Sequence, residues 1–286
     1  MPDKYSATWL SHSTIKDFLR CPRAYYLNNV YKDPKTNHKI QLMNPPLALG
    51  QIVHTVIERL SQMPVAERLK VSLVEKFEQE WKKVTGVKGG FSSPEEEERY
   101  KARGREMLKR VMDHPGPISQ RAVKIDQELP QFWLSEADEL ILCGKIDWLE
   151  YLEDADAVHI IDFKTSRGQE DASSLQLPIY YLLVTHTQNR PVNKISYWYL
   201  DRDNEPVGQP LPDVAQAQTE LIAIGKRMRL MRKLNNFKCP NGERGCPACI
   251  PLERIVKGEA QLVGESEFKQ DIYILPKTEE RSSKIL

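Results

Sequence analysis

The chain has 286 residues and a mass of 33.0 kDa, enough to bury one sizeable core or two small ones. With 40% hydrophobic and 28% charged residues it has a globular composition. No apolar run approaches the ~18 residues that would cross a membrane, and a net charge of +1 leaves nucleic-acid binding to local patches. The opening Met1-Pro-Asp-Lys-Tyr-Ser6 has no signal-peptide pattern. A cytoplasmic protein is expected, with its five cysteines as reduced thiols or metal ligands.

Ser11-His-Ser-Thr14 opens a helix, with Ser13 as its cap and Ile15, Phe18 and Leu19 as an apolar stripe. Cys21-Pro22 interrupts it, and Pro22 can start a new turn carrying Tyr25, Tyr26 and Leu27. Residues 32–46 are predicted as loop, because Asp33-Pro34 and Asn44-Pro-Pro46 break regular structure. Leu49 to Leu60 is an amphipathic helix with Leu49, Ile52, Val53, Val56, Ile57 and Leu60 on one stripe. His54 falls at the border of that stripe, where it can look into a cleft or into solvent; Gly50, one turn earlier, would leave room beside the imidazole.

Residues 65–115 read as helical, with Leu69, Leu73, Phe77 and Trp81 recurring every fourth residue. Ser93-Pro-Glu-Glu96 has the form of a capping box with proline at the first helical position. The region 61–120 is expected as a helical insertion beside a sheet, with Glu95 to Glu98 as a solvated face. Val123 to Leu134 reads as the first strand; its Glu128 is a surface glutamate or a third acidic group near a metal. A helix should run from Asp171 to about His186, with Gln176 and Tyr180 on one face at i,i+4. Lys194 to Leu200 is an aromatic-rich strand. Val214 to Leu234 is the last long helix, and its basic end carries Lys226, Arg227, Arg229, Arg232 and Lys233, a solvated face or a phosphate-binding one. Residues 1–275 are expected as one domain and 276–286 as a flexible tail.

The chemistry concentrates in Ile141-Leu-Cys-Gly-Lys-Ile-Asp147-Trp and Val158-His-Ile-Ile-Asp162-Phe-Lys164-Thr. Both read as strands, and Glu153-Asp-Ala-Asp156 reads as the turn of a hairpin between them. A period of two puts Asp162 and Lys164 on one face with Phe163 on the other. Asp147 would join them from the neighbouring strand. Facing carboxylates repel, and a hard divalent cation such as Mg²⁺ removes that cost; a surface salt bridge is the simpler alternative. At the chain ends Cys21, Cys239, Cys246 and Cys249 can supply four thiolates, which suit Zn²⁺ or [4Fe–4S]. Cys143 is read as a free buried thiol.

Gly144-x-x-Asp147, Asp162-Phe-Lys164-Thr165, Gly50-x-x-x-His54, Gln176-x-x-x-Tyr180 and the split cysteines, spanning residues 21 to 249, resemble the PD-(D/E)XK nuclease superfamily. The likeness is to its RecB-like branch, which includes the AddB nuclease and the CRISPR-associated RecB-like nucleases. That resemblance implies an α/β, restriction-endonuclease-like αβββαβ core with a mixed central sheet and a cysteine cluster joining the N- and C-terminal regions. It implies a metal-dependent DNA nuclease, an exonuclease in recombination, repair or CRISPR-type processing. Mg²⁺ or Mn²⁺ would be held by His54, Asp147, Asp162 and the Phe163 carbonyl. Lys164 would orient or help deprotonate the attacking water, and the helix with Gln176 and Tyr180 would position the substrate strand. The relatives carry [4Fe–4S] on one N-terminal and three C-terminal cysteines. Here the isolated Cys239 precedes the Cys-x-x-Cys pair rather than following it, and zinc is the alternative. Partners would be DNA, with a helicase or CRISPR adaptation proteins, and no membrane. Two rival functions are a non-catalytic nucleic-acid-binding subunit and a zinc or iron–sulfur scaffold.

Overall fold

The computed structural model describes residues 3–276 and opens with strand β1 (Thr8–Leu10) and helix α1 (His12–Arg20). Ser11 caps α1 in place of the expected Ser13: Thr14 N–H donates to Ser11 Oγ at 3.2 Å and Ser11 N–H donates to Thr14 Oγ1 at 2.8 Å. Ser11 has the extended backbone a cap needs, whereas Ser13 already lies inside the first turn. Pro22 does start a second helix, α2 (Pro22–Tyr25), which runs on as a π-turn over Tyr26–Val30. The loop expected at 32–46 contains β2 (Lys39–Leu42), whose pairing partner lies near the other end of the chain. Helix α3 (Pro45–Glu58) starts before Leu49 because Asn44 caps it, accepting from Leu47 N–H at 3.0 Å, and two prolines suit its first turn.

The next two helices are α4 (Leu73–Trp81) and α5 (Pro94–Asp113). Ser93 caps α5, accepting from Glu96 N–H, but the Glu96 carboxylate turns to Ser92 N–H at 2.7 Å, so the box does not close on Ser93. The strand expected over Val123–Leu134 is confined to β3 (Gln131–Ser135), and Glu128 sits on an exposed, irregular segment. The alternation through 140–148 is divided between β4 (Leu140–Cys143) and β5 (Trp148–Leu152). A turn at Glu153–Ala155, with Asp156 in the left-handed region, leads into β6 (Ala157–Lys164) as the sequence suggested. Helix α6 (Gln176–Thr187) begins later than Asp171, which instead closes a turn by accepting from Ser173 N–H at 2.8 Å. The chain continues through β7 (Val192–Tyr199), β8 (Val207–Gln209), α7 (Val214–Leu234), α8 (Ile250–Val256), β9 (Gln261–Glu265) and β10 (Gln270–Ile274). Of the tail expected at 276–286, residues 277–286 lie outside the described residues.

The strands form three sheets ordered β1-β4-β3, β5-β6-β7-β8 and β2-β10-β9. Each mixes parallel and antiparallel pairs: β1 with β4, β6 with β7 and β2 with β10 are parallel. The β6–α6–β7 segment is a crossover unit, the route by which parallel neighbours are joined. On β6 the two faces feed two cores. Val158 and Ile160 pack with α6 and α7, whereas Ile161 and Phe163 pack with α3, α4 and α5, together with Trp148 and Trp198. Each of these large side chains contributes about 1.5–3 kcal/mol by leaving water. Packing among the three helices is tight: a Cβ on Gly104 of α5 would lie 2.3 Å from Phe77 Cζ. This two-sided burial fixes the phase of β6. The α6 face reaches Asp162 and Lys164 just where the apolar alternation runs out.

Candidate active site

Four segments meet at the end of β6. Helix α3 brings His54 and Glu58, one turn apart on the same side. Gly50 of α3 lies against Thr165, whose Oγ1 would be 3.2 Å from an added Cβ, so its room is taken by the strand end and not by the imidazole. Asp147 stands in the break before β5 and is fixed by Phe163 N–H, which donates to its Oδ2 at 2.9 Å. His54 Nδ1 lies 3.5 Å from Asp147 Oδ2 and 3.7 Å from Glu58 Oε1. From β6, Asp162 Oδ2 and Lys164 Nζ are 2.8 Å apart. From α6, Gln176 ties them together: its Nε2 donates to Asp162 Oδ1 while its Oε1 accepts from Lys164, both at 2.5 Å. Gln176 Nε2 also lies 3.3 Å from Tyr180 Oη.

Burial, then Asp147, pushes the Asp162 carboxyl up to about 7 against the opposing pull of Lys164 and His54. For His54, burial acts downward, but the Asp147 and Glu58 carboxylates outweigh it and hold the imidazole up at about 10. Burial also acts downward on Lys164, and Asp162 and Glu170 overcome it, so the ammonium is held above its ordinary value. The Tyr180 phenol is raised by burial and by the two aspartates. Burial thus disfavours the charged form of Asp162.

The donor set fits a divalent cation. His54, Glu58 and Asp147 offer ligand atoms within 4.8 Å of one another. Asp162 Oδ2 is buried and accepts no well-formed hydrogen bond; the Lys164 ammonium faces it as an ion-pair partner. Carboxylate oxygens with one imidazole suit Mg²⁺ or Mn²⁺. The site opens at Asp147 into a groove of about 510 Å³ whose other walls include Lys124, Glu128, Pro130 and Lys145.

His54, Asp147, Asp162, Phe163, Lys164, Gln176 and Tyr180 are therefore brought together. The basic side chains of α7 make other contacts. Lys226 pairs with Asp138 at 3.2 Å, Arg229 pairs with Glu139, and Arg227 lies over the Phe18 ring at 5.6 Å. Arg232 and Lys233 are exposed. Two site residues escaped the sequence reading. Glu58 had a signal, its i,i+4 spacing from His54. Glu170 Oε2, 3.4 Å from Lys164 Nζ, comes from an irregular loop and had none.

The second cluster also assembles. The sulfur atoms of Cys21, Cys239, Cys246 and Cys249 lie within 4.8 Å of one another, and all are free thiols. Cys246 N–H donates to Cys249 Sγ at 3.2 Å and Asn241 N–H to Cys239 Sγ at 3.4 Å. Ala24, Leu27, Ile40, Leu252 and Ile255 form the apolar shell. Cys143 stands apart, buried, its thiol pushed up to about 11 by burial.

No curated protein matches the sequence. Among solved structures, a "Putative exonuclease" from Eubacterium rectale is similar over 84% of this chain and 86% of that one, at 14% identity and a TM-score of 0.48, too remote to weigh on function. The family model of the PD-(D/E)XK nuclease superfamily matches residues 9–250, a span that includes both clusters. The chain belongs to the PD-(D/E)XK nuclease superfamily.

Proposed function

We propose that the protein is a metal-dependent deoxyribonuclease of the RecB-like branch, an exonuclease acting in DNA recombination, repair or CRISPR-type processing. The observation that carries this reading is the joined pair of Asp162 and Lys164, 2.8 Å apart, beside Asp147 and His54. His54, Asp147, Asp162 and the Phe163 carbonyl would hold Mg²⁺ or Mn²⁺, and Glu58 stands close enough to His54 to orient it. When bound there, such a cation would lower the pKa of a water and polarise a phosphoryl oxygen. Lys164, kept protonated by Asp162 and Glu170, offsets charge growing on the phosphate and orients the attacking water. Gln176 holds Asp162 and Lys164 in register, and Tyr180 closes the α6 side of the site. DNA is the substrate partner, and unwinding would come from a separate helicase. Incubation of an end-labelled DNA strand with the protein in Mg²⁺, and again in chelator, tests this; cleavage that persists in chelator overturns it.

The four thiols support two readings. Resemblance implies [4Fe–4S]. The closeness of the sulfur atoms favours a single tetrahedral ion: bonds of about 2.3 Å give an edge of about 3.8 Å, and Cys246 Sγ to Cys249 Sγ measures 3.8 Å. Metal analysis of anaerobically purified protein separates them, one equivalent of zinc against four of iron with broad visible absorbance.

A further inference from the structure

We propose that the cleft between the β9–β10 hairpin and the segment leading into β3 seats single-stranded nucleic acid, with Phe268 stacking on a base and Lys32, Lys39 and Lys269 meeting phosphates. This rests on the nuclease reading and extends it to a binding subsite and a strand preference. The cleft has a volume of about 840 Å³, and no carboxylate lines it. Two apolar side chains line it, Phe268 at 81% exposure on the hairpin and Leu129 at 41% before β3. The lysines add a second, independent feature. Among the described residues Lys32, Lys39 and Lys269 have no ion-pair partner, whereas most basic side chains around the carboxylate site do. Lys39 is half-buried, and burial, then Arg232 and Lys32, lower its pKa, so like charges stand close together here. The nearby Asp271 is engaged by the cleft residues Thr36 at 2.6 Å and His38 at 2.9 Å, and Glu265 stands 3.9 Å from His38.

Two of the segments that line the cleft adjoin residues of the candidate site. Leu129 is flanked by Glu128 and Pro130, which line the groove that opens at Asp147. Ser13 lines the cleft, and its neighbour His12 is close enough to Lys164 to feel its charge. On this proposal a strand cut at Asp162 and Lys164 would continue into a cleft lined by lysines and an exposed aromatic. Unpaired bases can stack there; a duplex presents only phosphates, because its base faces are occupied.

Fluorescence anisotropy with a fluorescein-labelled oligothymidylate, in chelator to prevent cutting, tests this on the whole chain. Stacking on one aromatic is worth about 1–3 kcal/mol, so Phe268→Ala should weaken binding about 5- to 150-fold. Phe268→Tyr should retain wild-type affinity. Lys32→Ala with Lys39→Ala should flatten the salt dependence of log K by about 1.4, or about 0.7 per phosphate contact. A blunt duplex should bind Phe268→Ala and wild type alike. Unchanged oligothymidylate affinity in Phe268→Ala, or an equal loss on the duplex, overturns the proposal. Phe268 is exposed, so its removal should leave the melting temperature in place. Bis(p-nitrophenyl) phosphate, a diester without bases, reports on the carboxylate site alone, and Phe268→Ala should hydrolyse it at the wild-type rate. A wild type inert toward that diester, yet sensitive to Phe268→Ala in oligothymidylate binding, would sink the nuclease reading and leave this one standing.

Discussion

The carboxylate site and the thiol centre are both clusters of metal-binding groups, yet the fold builds them differently. At the carboxylates, the protein's own hydrogen bonds set the geometry. Gln176 links Asp162 to Lys164, and Phe163 N–H holds Asp147. Two apolar cores brace β6 from either side. The thiols have a smaller apolar shell and are joined through short elements: α2, β2 and α8. On the proposed reading, losing a cation from the first cluster would leave the site positioned, whereas losing one from the second would remove a link between the two ends of the chain.

That contrast can be broken in several ways. The largest effect should come from Asp162→Ala or Lys164→Ala, each lowering DNA cleavage by about 10²–10³-fold or more, with the circular dichroism spectrum unchanged. Cleavage at the wild-type rate in either variant would move the active site elsewhere. Cys21→Ser should act the other way, on stability first. It opens a link closing most of the chain, and a loss of about 2–5 kcal/mol is expected on the scale of a broken cross-link. A Cys21→Ser protein with full metal content and wild-type melting would remove the link from the account. His54→Ala should shift the Mg²⁺ requirement for cleavage upward by about tenfold or more, since one of the few proposed protein ligands is gone; a superimposable Mg²⁺ titration would return His54 to a role as a charged neighbour.

Gly104→Ala should destabilise by about 1–3 kcal/mol through collision with Phe77 while leaving cleavage per folded molecule intact, a core effect separate from both clusters. The remaining expected signal is in pH. In chelator, Asp162 keeps its proton up to about 7 in the folded state against 3.8 when unfolded, so stability should fall as pH rises between these values. His54, raised from 6.5 to about 10, adds stability below 6.5 that is lost as pH rises toward 10, which extends the decline. Mg²⁺ should flatten the curve. Melting temperatures that rise from pH 4 to 8 in chelator would show that the buried pair is balanced by other groups.

The sequence by itself determined what is local. Period two placed Asp162 and Lys164 on one face, because alternation is a property of the strand alone and burial on both sides of β6 preserves it. The bounds of α7, Val214–Leu234, and the turn before β6 were legible for the same reason. The grouping of cysteines could be read from their spacing and chemistry. Tertiary structure alone decided what depends on partners distant in the chain. β2 forms because β10 pairs with it, and neither strand has an apolar pattern strong enough to stand out. The run 140–148 divides because β4 joins β1 and β3 while β5 joins β6, and the break between the two sheets is what frees Asp147 to meet Phe163 and His54. Glu170 reaches Lys164 from a loop with no periodicity to report it. Side-chain direction along one element follows from backbone geometry, but which elements meet is settled by long-range burial and pairing, and that is where the site acquires Asp147, Glu58 and Glu170.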